Sequence, residues 1–175
     1  MDYKKKYLKY KLKYLTTKKN FKGGTKLCDP VITLNQAFIN AVKNRSVRDV
    51  DNLLRAGANP TAIDINGDTA LILAAKGGDE AMVNALLFAG ADPNVPHPDD
   101  YMAIMAAAEG GSVNVVNTLL IHGADIDAQN SNGWTALMIA ANMGHEAVLL
   151  KLLAMRASVN TGANAVGTAL MQAAK

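Results

Sequence analysis

The side chains best suited to chemistry in this chain are few. There are three histidines, His97, His122 and His145, and one cysteine, Cys28. Each histidine stands beside a turn signal: His97 between Pro96 and Pro98, His122 before Gly123, His145 after Gly144. At a helix end such as that of His122, a partly positive ring is favoured. Spread this way, the three imidazoles form no metal set. A single cysteine excludes an internal disulfide and a thiolate cluster. Neither Cys28 nor any serine can be matched to a histidine and an acid as a nucleophilic set. The acids Asp99-Asp100 and Asp125/Asp127 read as turn residues, and no Gly-rich phosphate cradle of the P-loop kind is present. The expectation is no enzyme, no metal and no cofactor. Any activity must come from a surface, so the elements that build the surface decide the reading.

Those elements announce themselves by repetition. Gly67-Asp68-Thr69-Ala70-Leu71 returns as Asp100-Tyr101-Met102-Ala103-Ile104, as Gly133-Trp134-Thr135-Ala136-Leu137 and as Val166-Gly167-Thr168-Ala169-Leu170, in steps of 33 residues. Leu53-Leu54, Leu86-Leu87, Leu119-Leu120 and Leu152-Leu153 keep the same step. So do Gly57-Ala58, Gly90-Ala91 and Gly123-Ala124, with Arg156-Ala157 in the fourth place. A fixed period over so many positions means stacked repeats.

These residues resemble the ankyrin repeat. The Gly-x-Thr-Ala-Leu opening, the Ala-Ala pair, the glycines at 78, 111 and 144, the Leu-Leu pair and Gly-Ala-Asp carry the likeness, from Asn35 to Lys175. The resemblance implies an all-α solenoid of helix–turn–helix–hairpin units whose concave face binds other proteins, and no reaction. The family's usual Thr-Pro-Leu-His has become Thr-Ala-Leu followed by Ile72, Met138 or Met171, which removes a customary inter-repeat hydrogen bond. His145 stands where the family commonly places a histidine for local capping.

Composition agrees with thin, closely packed helices: half of the 175 residues are hydrophobic and only 5% aromatic. No run of 18 apolar residues exists to cross a membrane as a helix. The net charge of +3 hides an asymmetry. Residues 1–29 hold ten lysines against Asp2 and Asp29, whereas residues 30–175 hold more acids than bases. A basic leader therefore precedes a mildly acidic repeat domain.

In the leader, Tyr3, Tyr7, Tyr10 and Tyr14 recur at helical spacing, with Leu8, Leu12 and Leu15 beside them. It reads as a solvated basic tail, a membrane-surface helix or a nonspecific nucleic-acid contact, any such contact being confined to residues 1–22. Its Tyr-Leu-Lys-Tyr-Lys-x-Lys-Tyr-Leu phrase and following Gly-Gly resemble leaders on proteins of giant DNA viruses of the mimivirus type. That likeness implies a viral protein in the host cytoplasm, the virus factory or the virion. Phe21-Lys22-Gly23-Gly24 is similar to sites cut by the cysteine proteases of large DNA viruses, with Gly23 and Gly24 at the cut; the alternative is a hinge. Two glycines let extended backbone enter a narrow cleft.

The repeat domain, 30–175, divides into a cap (33–63), units at 64–96, 97–129 and 130–162, and a partial unit at 163–175. The polar Asn35, Asn40, Lys43, Arg45 and Arg48 of the cap should face outward, and Leu86, Leu87, Leu119 and Leu120 should be central core. With Pro96-His97-Pro98, Asp100 for Gly and Met102 for Thr, the third unit should have an altered hairpin. Arg156 is strained if its position stays left-handed. The partial unit is a minimal cap or a truncated array, and Leu170 and Met171 favour truncation. By alignment with the family, the partner should meet Asn66, Asp68 and Lys76; Asp99, Tyr101 and Glu109; and Ser131, Trp134, Asn142 and Met143. The expected function is protein–protein interaction by a monomer with a host or viral partner. The alternative is an anchoring or virion-packaging protein acting through its leader.

Overall fold

A computed structural model describes residues 30–161. The leader, with Gly23 and Gly24, and the partial unit from Ala163 lie outside the described residues. Among the described residues eight helices follow one another: α1 (Pro30–Lys43), α2 (Val47–Arg55), α3 (Ala70–Lys76), α4 (Glu80–Phe88), α5 (Ala103–Glu109), α6 (Val113–Ile121), α7 (Ala136–Met143) and α8 (Glu146–Ala154). From α3 onward each start is repeated after 33 residues, so the period in the sequence is a period in the backbone. The first helix begins at Pro30.

Five of these helices start on a side-chain cap, and each helix is followed within two residues by a left-handed one. The side chains of Thr69 and Thr135 accept from the backbone N–H three residues on, as do Ser46, Asp79 and Ser112 at the second helices. After each first helix, positive φ falls at Arg45, Gly78, Gly111 and Gly144; after each second helix, at Gly57, Gly90, Gly123 and Arg156. There the chain closes a Schellman motif, as in Ser46 N to Ala41 O at 3.0 Å and Ala157 N to Leu152 O at 3.0 Å. The turn reverses the chain within few residues, which lays the two helices of a unit side by side.

The first helices α1, α3, α5 and α7 stack in one layer and the second helices in another. Ala103, Ala106, Ala107 and Ala108 are all buried, and such small side chains let neighbouring first helices approach closely. Ile72, Met105 and Met138, at equivalent positions, fill the space between layers and are almost fully buried. They occupy the place of the family's imidazole with an apolar column. Leu86 and Leu119 are fully buried. Leu120 corrects its expected place in the central core: it is half-buried and packs against the core's edge. Adjacent helical residues point about 100° apart, so the first leucine of a pair lies deeper: Leu87 is still buried beside Leu86, whereas Leu120 reaches only the edge.

Between units the bonds are mostly polar. Lys43 Nζ meets Asp64 Oδ2 at 2.9 Å and Arg45 Nη2 donates to Gly77 O at 3.1 Å, while within the cap Asn35 Oδ1 accepts from Asn59 N at 2.9 Å. Two of the cap's polar residues, Lys43 and Arg45, thus fasten it to the next unit rather than merely facing solvent. Farther on, Asn94 donates to Gly123 O at 2.8 Å and accepts from Asp125 N at 2.8 Å.

The third hairpin keeps the main-chain frame of its neighbours, contrary to expectation. His97 N donates to Tyr101 O and Asp100 N to His97 O, as Asp64 N donates to Asp68 O and Asn130 N to Trp134 O in the flanking units. Asp100 takes φ 58° to allow it. What Met102 loses is the cap: no side-chain hydrogen bond starts α5. No helix among the described residues is long and apolar enough to cross a membrane.

Candidate functional site

Two rows of equivalent positions meet on the face built by the hairpins and first helices. The hairpin row is Asp68, Tyr101 and Trp134; the helix-end row is Lys76, Glu109 and Asn142. Each hairpin residue is the second before its helix's first residue, and each helix-end residue closes or nearly closes that helix. A helix of about two turns therefore sets the distance between the rows, and the stacking of units sets the distance along them.

Side chains connect the rows. The Tyr101 hydroxyl donates to Glu109 Oε2, and Lys76 Nζ lies 3.0 Å from Glu109 Oε1. Burial by itself would raise the Glu109 carboxyl, but the Tyr101 hydroxyl and the Lys76 ammonium outweigh it and hold the group below its ordinary value. Burial, and then the Glu109 carboxylate, push the Tyr101 phenol well above its ordinary value. Asp68 is raised by burial and by the neighbouring Asp64. At neutral pH the Tyr101 phenol is therefore neutral and Glu109 ionised.

Between the hairpins of Tyr101 and Trp134 lies an open groove of about 220 Å³. Of the residues expected to meet a partner, Tyr101, Glu109, Trp134, Asn142 and Met143 line it. Lys76 joins through Glu109, and Asp68 acts on Tyr101 through its charge. Asn66, Asp99 and Ser131 do not line it. They sit exposed at hairpin tips and tie one tip to the next: His97 Nε2 lies 3.1 Å from Asn66 O, and Ser131 N donates to Asp99 O at 2.9 Å.

Asn130, Asn132 and Ile139 also line the groove and were not anticipated. Asn132 was within reach of the sequence, because it is the periodic equivalent of Asn66 and Asp99. Asn130 matches Asp64, and its Oδ1 accepts from Asn132 N at 3.0 Å and Trp134 N at 2.9 Å, which fixes the backbone that carries the indole. Ile139 reads from its pattern as core, and it is indeed nearly buried.

The histidines serve the scaffold. His145 does not cap α8 through its side chain, contrary to the capping expectation. Its Nε2 reaches back 2.9 Å to Glu109 O, the carbonyl of the groove residue itself. A Cβ on Gly111 would stand 2.8 Å from the His145 ring, so Gly111 is needed for this approach as well as for its positive φ. His122 Nδ1 lies 2.9 Å from Thr118 O, and its ring meets Phe88 edge-on at 5.8 Å. Among the described residues, no three histidine, cysteine or acidic side chains converge as a metal site would require.

A family model described as Ankyrin repeats (3 copies) matches residues 38–130 and 104–175. No curated protein matches the chain.

Proposed function

Because the chain belongs to the ankyrin-repeat family, we propose that it is a non-catalytic interaction protein whose groove between the Tyr101 and Trp134 hairpins receives a partner protein. Ankyrin repeats are generally protein–protein interaction modules and typically carry no enzymatic activity. The observation that carries the reading is the groove itself. It unites the two aromatic side chains of the hairpin row with an ionised carboxylate and exposed amides. Tyrosine and tryptophan dominate binding energy at interfaces because they bury large area with few rotatable bonds. On the leader's likeness to giant-virus leaders, the partner is a host or viral protein.

Affinity capture from cell lysate by the full chain tests this, with a Tyr101→Ala/Trp134→Ala variant alongside and circular dichroism to check that it folds. A partner held by the wild type and lost by the folded variant supports the groove. One retained by the variant removes the groove from the function. Retention that then disappears on removal of residues 1–29 moves the activity to the basic leader, whose ten lysines favour that second reading.

A further inference from the structure

Resting on the groove as the partner site, we infer that it takes an arginine side chain of the partner, stacked against Trp134 and Tyr101 with its guanidinium turned to Glu109 and the asparagine amides. Size comes first. Pockets for small molecules usually enclose about 300–1,000 Å³. A groove of about 220 Å³, open to solvent, suits one long side chain better than a cofactor.

Charge comes next. Glu109 is the one ionised side chain among the residues that line the groove. Glu109 ends α5 and Met143 ends α7, so the carbonyl ends of two helices also border it. Helix C-termini carry partial negative charge and favour a cation. Asp68 adds a further negative charge close enough to act on Tyr101. Of the opposing charges, Lys76 is already set against Glu109 and Lys43, which also acts on Asp68, is set against Asp64.

The form of the cation follows from what is left to bond. Lys76 holds Glu109 Oε1 and the Tyr101 hydroxyl holds Oε2. A second compact ammonium would compete with Lys76 for one oxygen. A guanidinium is flat, stacks on aromatic rings and spreads five N–H donors over several acceptors. Asn132 and Asn142 supply acceptors: both are exposed, and their side-chain amides make no hydrogen bond to another described residue. Aromatic walls, a carboxylate already sharing its oxygens and two waiting amide oxygens match the guanidinium on each count.

Trp134 is the only tryptophan in the chain, so its emission reports the groove directly. A displayed library of random 12-residue peptides, selected on the full-length protein, supplies the probes. Peptides that change Trp134 emission should share an arginine. Replacing that arginine by citrulline, which keeps the shape and removes the charge, should weaken binding about ten-fold, and lysine should restore only part of the loss. The Glu109→Gln variant should weaken the arginine peptide and not the citrulline one. Peptides that change the emission without any arginine preference would overturn the arginine inference and leave the groove as a binding site. Selected peptides that leave the emission unchanged and bind a folded Trp134→Phe/Tyr101→Phe variant equally well would overturn the groove reading too.

Discussion

At the scale of the residue, backbone geometry takes precedence over side-chain preference. Positive φ is required at fixed places in each unit, and glycine occupies most of them. Arg45 at φ 56°, Asp100 at φ 58° and Arg156 at φ 66° hold the same geometry without being glycine. Aspartate tolerates this region better than most residues, since its short carboxylate can bond locally. Arginine gains nothing of that kind. Arg156→Gly should therefore raise stability by about 1 kcal/mol, read as a higher urea midpoint at unchanged slope. Arg45→Gly should raise it less, because it also removes the 3.1 Å bond to Gly77 O that fastens the cap. An equal gain at both positions would mean that this bond contributes nothing.

At the scale of the element, α5 is the exception that measures its neighbours. α3 and α7 begin on Thr69 and Thr135, both nearly buried and both bonded to the N–H three residues on. α5 begins on Met102, whose extended backbone is the same but whose side chain caps nothing. Met102→Thr should stabilise the protein by about 1 kcal/mol, seen in thermal or urea unfolding. A loss of stability instead would show that the thioether's packing against the core outweighs a cap. Second helices tell a complementary story in the Leu-Leu pairs. Leu152 is fully buried while Leu153 is 39% exposed. Leu86 and Leu87 are both buried, so the second leucine of a pair is core in the second unit and edge in the fourth.

At the scale of the whole molecule, stability rests on contacts between units, and these include charges. Asp64 is 2% exposed and sits against Lys43, which is 42% exposed. Burial alone would raise the Asp64 carboxyl. The Lys43 hydrogen bond, the N–H groups of Asn66 and Asp68 and the Lys43 charge outweigh it, so the folded value lies below the usual 3.8. A depressed carboxylate stabilises above its unfolded value, and that contribution is lost as pH falls through the folded one. Lys43→Met keeps the apolar stem and removes the charge. It should cost about 1 kcal/mol at neutral pH, limited by the solvent around Lys43. The difference from wild type should close as pH falls below 3.8, where Asp64 takes up a proton. A difference that persists in acid would assign the loss to packing of the stem.

The sequence by itself determined the family, the period and, through the period, which positions are equivalent. In a solenoid, equivalent positions lie next to one another, so Tyr101 and Trp134 could be placed on one face from spacing alone, and Asn132 could have been. The same logic located the left-handed turn at Arg156, because it depends only on backbone copied from unit to unit. Tertiary structure alone decided what the side chains do there. Tyr101 gives its hydroxyl to Glu109, Lys76 from the preceding unit pairs with that carboxylate, and His145 reaches back to a carbonyl one unit away instead of capping its own helix. The period repeats the backbone but not the side chains. A partner across a unit boundary therefore depends on two residues chosen independently, and only their placement in space brings them together.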